Sequence, residues 1–317
     1  TTEIYTLSLH DALPILKILR SEEFDIPVVC IGNLTVGGTG KTPVAELLIE
    51  RFSEHYRVGV LSRGYRRRTK GFVLSTPTSS ARTIGDEPRQ MKLKYPSVPV
   101  AVCEKRAEGI RLLRKAHPEI ELIILDDAFQ HRYVEPWVNI LLMDYNNPVY
   151  RDRLLPWGRL RDTRNQIHRA NFVLVTKCPD DLNPLDMRIV INSLGLFPYQ
   201  SLYFTRMRQG EITPLFADRA VGKVREGDPV IAMSGIANPV PLLENLRKRF
   251  DVVAELTFDD HHTYRLSDMR RLEALFAAYP DAVVLTTEKD AVKLTNRKKV
   301  PEAVQQRLYY VPIHVSF

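Results

Sequence analysis

The stretch Val28-Val29-Cys30-Ile31-Gly32-Asn33-Leu34-Thr35-Val36-Gly37-Gly38-Thr39-Gly40-Lys41-Thr42-Pro43 constrains the fold more than any other part of the chain. An apolar, β-branched run feeds a glycine-rich turn ending in Gly-Lys-Thr, and Val44 to Phe52 then reads as a helix. Strand, glycine-rich turn and helix in this order make a phosphate-binding loop. Backbone N–H groups across Thr35, Val36, Gly37, Gly38, Thr39, Gly40, Lys41 and Thr42 cradle phosphates, and Lys41 reaches the β and γ groups. The helix that follows turns its positive end toward the same anion, and Pro43 suits a first turn that needs no donor there. The general pattern has glycine at position 35, where this chain has Thr35; Gly37, Gly38 and Gly40 still leave the loop free to wrap a phosphate. The loop implies a bound nucleoside triphosphate.

At 317 residues the chain has room for two domains, and 44% hydrophobic with 26% charged residues is ordinary globular composition. A net charge of +7 favours anionic partners: nucleotide, phospholipid surface or nucleic acid. Cys30, Cys103 and Cys178 lie far apart, without metal-ligand spacing, and read as reduced core residues. No stretch approaches the ~18 uninterrupted apolar residues that a membrane-crossing helix needs.

Residues Thr6-Leu7-Ser8-Leu9-His10-Asp11-Ala12-Leu13-Pro14-Ile15 can be written as ACT CTT TCC CTA CAC GAC GCT CTT CCG ATC, a widely used sequencing adapter. Residues 1–15 are therefore expected to be an artefact that replaces the true start, and they are left out of fold reasoning.

After Phe24, β-type runs alternate with helix-length segments. Strands are expected over 28–33, 58–62, 98–102, 122–126, 139–144 and 172–177, with helices over 44–52 and 107–117. Near-continuous apolar strands separated by helices predict an α/β fold, a parallel sheet covered on both faces in the manner of P-loop NTPases, spanning 16–200. Ligands of such sheets bind beyond the carboxyl ends of the strands, where the loop at 35–42, Ser62-Arg63-Gly64-Tyr65 and Asp126-Asp127 would all fall. From 201 to 317 a second, smaller α/β domain is expected, with Leu202–Met207 and Tyr309–Ser316 pairing as a two-stranded connector. The chain stops on Phe317 without a terminating signal, which leaves room for a missing C-terminal piece.

Glu121-Leu122-Ile123-Ile124-Leu125-Asp126-Asp127 is an apolar strand delivering carboxylates at its tip, as phosphate-loop enzymes use to hold magnesium opposite the loop threonine. Asp86 and Glu87, after Gly85, stand before a helix, where they suit either a cap or a functional acidic pair. His131 follows Phe129-Gln130, and Asp259-Asp260-His261-His262 is the other histidine cluster; a carboxylate–histidine general base is its economical functional reading. Two basic clusters flank the expected ligand edge: Arg63, Arg66, Arg67, Arg68 and Lys70, then Arg151, Arg153, Arg159, Arg161 and Arg164. They suit a phosphorylated substrate. No nucleic-acid-binding module or stacking-aromatic pattern accompanies them.

In order, the loop at 32–43, Ser62-Arg63-Gly64-Tyr65, Gly85-Asp86-Glu87-Pro88, Asp126-Asp127-Ala128-Phe129-Gln130-His131 and Asp260-His261-His262 closely resemble the tetraacyldisaccharide 4'-kinase family of lipid A biosynthesis. The resemblance runs from about Ile18 to Phe317. Thr35 is that family's own form of the loop, and Ala128 stands where the family usually has glycine. The resemblance implies transfer of the γ-phosphate of ATP, with Mg2+, to the 4'-hydroxyl of a tetraacyldisaccharide 1-phosphate, a late step of that pathway. It implies that Lys41 stabilises the transferring phosphate and that Thr42 holds magnesium with Asp126 or Asp127. Asp86 is implied as the base, supported by His261 rather than His262, with Arg63, Tyr65, Glu87, His131, Arg159 and Arg161 toward the substrate. The family's N-terminal amphipathic segment implies peripheral attachment to the anionic cytoplasmic face of the bacterial inner membrane. The rival reading is a GTPase switch or metallochaperone: Phe172-Val173-Leu174-Val175-Thr176-Lys177-Cys178-Pro179-Asp180 looks like a guanine-reading strand end. Thr176 replaces the usual Asn there, and Asp180 falls one residue late.

Overall fold

The computed structural model describes residues 21–317, so the adapter-like segment lies outside the described residues. The chain divides into two compact units. One comprises residues up to Arg208 together with His314–Phe317, and the other is Gln209–Ile313.

The first unit is built on β1 (Val28–Asn33), α1 (Lys41–Ser53), β2 (Val58–Ser62), β3 (Val73–Leu74), α2 (Ala81–Ile84), α3 (Asp86–Lys94), β4 (Val100–Val102), α4 (Arg106–Ala116), β5 (Leu122–Leu125), β6 (Val138–Asp144), β7 (Phe172–Thr176), α5 (Pro184–Leu194) and β8 (Ser201–Phe204). These strands form one sheet in the order β3-β4-β2-β5-β1-β6-β7-β8. All neighbours are parallel except the edge strand β3, which runs antiparallel to β4. Alternation along β1 explains why both faces need cover. Val29 and Ile31 pack with Val44, Ala45 and Ile49 of α1, whereas Val28 and Cys30 pack with Ile110 and Leu113 of α4. Each such aliphatic side chain contributes roughly 1.5–3 kcal/mol when fully buried, and a central parallel strand must therefore be apolar throughout. β1, β2 and β5 are buried along their whole length.

The second unit holds β10 (Thr213–Pro214), β11 (Pro229–Ser234), α6 (Val240–Arg249), β12 (Asp251–Thr257), α7 (Leu266–Ala278), β13 (Val283–Thr287), α8 (Glu288–Ala291), α9 (Glu302–Gln305) and β14 (Leu308–Val311). Its sheet has the order β10-β14-β13-β11-β12, with β10 the antiparallel edge.

A two-stranded connector is present, formed near the C-terminal ends of the two expected segments rather than along their whole length. β9 (Arg206–Gln209) pairs with β15 (Ile313–Ser316). The segment Ser201–Phe204 instead extends the first sheet beside β7, with Leu202 and Phe204 packed into its core, and Leu308–Val311 pairs with β13. Burial decided this assignment: Leu308 and Tyr309 are needed inside the second core, which leaves only the last strand for the connector.

Candidate active site

The phosphate loop joins β1 to α1 at the carboxyl edge of the first sheet. Gly40 supplies the turn into the helix with φ +83, a left-handed conformation that favours glycine, and a Cβ there would also have to displace the end of the Met207 side chain. Thr35 needs no left-handed backbone. It pairs with Leu160 as an antiparallel bridge, while Val36 N–H donates to Arg159 O at 2.8 Å and Arg161 N–H to Leu34 O at 2.7 Å. Threonine at 35 is thus a strand-like residue inside the loop, which explains why glycine is dispensable there.

Asn33 organises the loop from its base. Its Nδ2 donates to Thr39 Oγ1 at 2.9 Å, and Lys41 Nζ approaches its Oδ1 at 3.5 Å. Its carbonyl accepts from Gln130 Nε2 at 2.7 Å and from Arg161 at 3.2 Å, and Arg161 also donates to its Oδ1. From behind, Thr176 Oγ1 donates to Thr39 O at 2.8 Å and Lys177 Nζ donates to Gly38 O. Lys177 has φ +58 and is held by Asp144 Oδ2 at 2.6 Å. Sequence reasoning assigns none of Asn33, Gln130, Asp144, Thr176 and Lys177 to this bracing, although Asn33 and Gln130 lie within the motifs that carry the resemblance and Thr176-Lys177 within the rival guanine-reading stretch.

Asp126 and Asp127 follow β5 as expected, but they occupy different environments. Asp126 is buried; its Oδ2 accepts from Ser62 Oγ at 3.1 Å, while its Oδ1 has no hydrogen-bond partner. Burial and the adjacent Asp127 charge push its carboxyl up to about 6 against the pull of Lys41, Ser62 and Arg106. Asp127 has φ +46 and faces Lys41 at 3.6 Å and Arg161 at 3.1 Å. Burial opposes its ionisation, yet those two cations hold it well below the usual carboxylate range. Arg106, another unanticipated residue, is fully buried beneath the pair, donating to Cys103 O at 2.5 Å and reaching Asp126 O at 3.5 Å. Burial lowers its guanidinium to about 10 although both carboxylates support the charge. His131 is driven down to about 3 by burial and by Arg106 and Arg63, so it is a neutral imidazole at physiological pH.

Asp86 and Glu87 open α3, after Gly85 with φ +94. α3 is braced to α1: Gln90 Nε2 and Lys94 Nζ reach the two oxygens of buried Glu46 at 2.8 and 2.7 Å. In the first basic cluster Arg63, Tyr65, Arg66 and Arg68 are exposed. Arg67 instead folds inward onto Glu104 at 2.6 Å and Gly71 O at 2.5 Å, and serves the loop's own structure. In the second cluster Arg161 joins the phosphate loop and Arg159 is exposed.

His261 belongs to the second unit, Asp86 to the first, and each is described within its own. His261 has φ +62; Lys289 Nζ lies 3.4 Å from its Nε2 and 3.0 Å from Asp260 Oδ1. His262 is a packing residue, with Nε2 2.9 Å from Asp268 Oδ2 and its ring stacked on Phe258 at 4.3 Å between centroids. Among the described residues no cluster of three or more His, Cys, Asp or Glu forms a metal centre, and no helix is long and apolar enough to cross a membrane.

A parallel sheet with a phosphate loop after β1 and paired carboxylates after β5 defines a P-loop nucleotide-binding protein. The sequence pattern of one family, Tetraacyldisaccharide-1-P 4'-kinase, matches residues 5–317, and the chain belongs to that family. It is 45% identical over 307 residues to the tetraacyldisaccharide 4'-kinase of Phocaeicola vulgatus, covering 95% of this chain and 84% of that one. It is likewise 45% identical over 311 residues to the enzyme of the same name from Bacteroides thetaiotaomicron, covering 94% and 82%. The crystal structure of LpxK from Aquifex aeolicus in complex with ATP superposes with a TM-score of 0.74 at 26% identity, covering 98% of this chain and 90% of that one. The GTPase reading is set aside by these likenesses. The geometry agrees: Asp180 is ion-paired to Arg208 at 2.8 Å, and Thr176 and Lys177 hold the phosphate loop.

Proposed function

We propose that this chain transfers the γ-phosphate of ATP to the 4'-hydroxyl of a tetraacyldisaccharide 1-phosphate. The observation that carries this reading is the phosphate loop with Lys41 held between Asn33 and Asp127, in a chain of this family. Lys41 leaves those partners for the β and γ phosphates, and Arg161, which shares them, adds a second cation at the loop. Asp86 takes the proton of the acceptor hydroxyl as its oxygen bonds to phosphorus, the β–γ bridging P–O bond breaks, and ADP leaves with the electron pair. His261, polarised by the Asp260–Lys289 pair, supports that base. Thr42, Asp126 and Asp127 offer the hard oxygen ligands magnesium takes, and the partnerless buried Oδ1 of Asp126 is the oxygen such an ion would satisfy. When bound, magnesium neutralises charge on the β and γ phosphates. Exposed Arg63, Tyr65 and Arg159, with Glu87 and neutral His131, are proposed to meet the acceptor's sugar and 1-phosphate. The acceptor in this reading is a lipid, and the same reading has the protein attached peripherally at the cytoplasmic face of the inner membrane.

The test is ATP-dependent phosphorylation of tetraacyldisaccharide 1-phosphate in detergent micelles. Lys41→Ala is expected to lower turnover at least a thousandfold, and wild-type turnover in that variant would remove the assignment. Asp86→Ala and His261→Ala should each reduce turnover more than ATP affinity, with a combined loss smaller than the product of the two.

A further inference from the structure

Residues 152–160, between β6 and β7, form a tight turn whose tip is Trp157, 83% exposed, with Leu154 beside it at 45%. So large an indole in water is a feature to be explained, because the turn that carries it is well ordered by its own hydrogen bonds. Asp152 Oδ1 accepts from the backbone of Arg153 at 2.8 Å and Arg159 at 3.0 Å. Leu160 N–H donates to Arg153 O at 2.9 Å, Leu160 O accepts from Leu155 N–H at 3.0 Å, and the backbone N–H of Trp157 donates to Leu154 O at 3.0 Å. A Cβ at Gly158 would lie 2.2 Å from Arg153 O, so the turn closes too tightly for any side chain there.

Two further observations say what covers the tip. The first is charge. Residues 151–164 contain five arginines against two aspartates. Asp152 is used on the turn's own backbone, and Asp162 Oδ1 accepts from Thr163 N–H. Arg151, Arg153 and Arg159 are exposed, and among the described residues none of them carries an ion pair. The second is place. The base of the turn is pinned to the phosphate loop through Thr35 and Leu160. Trp157 lies only three positions before Leu160, at most about 10 Å of chain. The tip therefore stands at the rim of the site to which the acceptor's hydroxyl must come.

We propose that this turn is a membrane-interface contact: Trp157 and Leu154 seat among the headgroups of an anionic phospholipid leaflet, while Arg151 and Arg153 face the lipid phosphates. The proposal rests on the acceptor being a lipid. An acceptor whose acyl chains stay in the leaflet can present its sugar to the phosphate loop only if the rim of that loop meets the bilayer. An amphipathic indole flanked by cations is the composition that suits such a boundary. Each basic residue close to an anionic surface strengthens binding about fivefold.

The chain has two tryptophans, and the other, Trp137, lies at the opposite edge of the sheet, where its N–H donates to Val28 O ahead of β6. Trp137→Phe therefore leaves Trp157 as the sole reporter. Added to vesicles of phosphatidylethanolamine and phosphatidylglycerol, this protein is expected to show a blue shift of Trp157 emission and quenching by brominated acyl chains. In cosedimentation, Trp157→Ser should weaken partitioning roughly tenfold and Trp157→Phe much less. Arg151→Glu with Arg153→Glu should weaken it at least as much as Trp157→Ser, with binding of MgATP retained in each variant. Protein that sediments with vesicles while Trp157 stays solvent-like and unquenched overturns the proposal and leaves the kinase reading intact. Quenching seen only when the acceptor lipid is added to neutral phosphatidylcholine vesicles also overturns it, because the indole would then meet the acceptor's own chains. Quenching on anionic vesicles without acceptor phosphorylation in micelles would uphold the contact and remove the kinase reading.

Discussion

At Asp126, burial and the neighbouring Asp127 carboxylate act in the same direction, and the fold keeps an acid that would rather be protonated. Its value rises from 3.8 to about 6, so between those limits the folded state binds more protons than the unfolded chain. Stability contributed by this group is present at low pH and falls as pH rises through that window, leaving the full cost above about pH 6. Asp126→Asn is therefore expected to raise the melting temperature of the magnesium-free, nucleotide-free protein at pH 8, on the order of a few degrees. The gain should vanish below about pH 4. A variant melting at or below the wild type at pH 8 would contradict this account. Asp127 shows the converse case, with ionisation secured by Lys41 and Arg161. Of the four described non-glycine residues with positive φ, three are Asp127, Lys177 and His261, and such backbone costs of about 1–3 kcal/mol persist where side-chain placement is over-determined. The paired carboxylates were legible because the apolar strand they end follows a phosphate loop, whereas an acid at a strand end alone says little. Asn33 and Arg106 were not, since an Asn at a strand end and an Arg at a helix start have ordinary local explanations, and only tertiary burial shows what they hold.

The end of β7 and the start of α1 act as one element although residues 54–171 separate them. Thr176 and Lys177 fix the carbonyls of Thr39 and Gly38, and the peptide planes of the loop are set from behind before any nucleotide arrives. Loss of a charged hydrogen bond of this kind costs about 1.5 kcal/mol, roughly tenfold in binding. Lys177→Met should accordingly raise KM for ATP about tenfold while kcat changes less than threefold, and Lys177→Arg should recover part of the loss. An unchanged KM with a collapsed kcat would show that Lys177 acts on the reaction rather than on loop geometry. A comparable brace, Glu46 with Gln90 and Lys94, ties α1 to the helix that opens with Asp86. Periodicity placed these helices and strands correctly within a few residues, because apolar runs between polar turns are a local property. The bounds of the connector were less legible, for the opposite reason. Which of two tyrosine-bearing segments joins a core and which joins a ribbon depends on burial contributed by the rest of the chain.

At the scale of the molecule, the order of the motifs carried more than any one of them. Thr35 counts against the phosphate loop when read alone, and it became intelligible once Leu160 was seen to pair with it. The way the chain passes between the units could not be read from sequence. It leaves the first unit through β9 and returns through β15, and Gly210 N–H donates to Pro312 O at 2.9 Å where the passages meet. Replacing residues 211–311 with a short glycine-rich turn is expected to leave a cooperatively folding first unit that binds ATP, measured by calorimetry, and, given the role proposed for His261, transfers no phosphate. Failure of that shortened chain to bind ATP would show that the first unit depends on the second.

The same crossing has a consequence for how such a chain can vary. Topologically, the 209–313 segment occupies the place of a hairpin turn, an excursion that begins and ends at one hydrogen bond. Insertions or deletions anywhere along it alter the length of the detour without shifting the register of a single strand in the nucleotide-binding sheet. The strand register of the nucleotide-binding sheet is thereby insulated from changes of length in the segment that carries His261, and the two are free to vary in length independently.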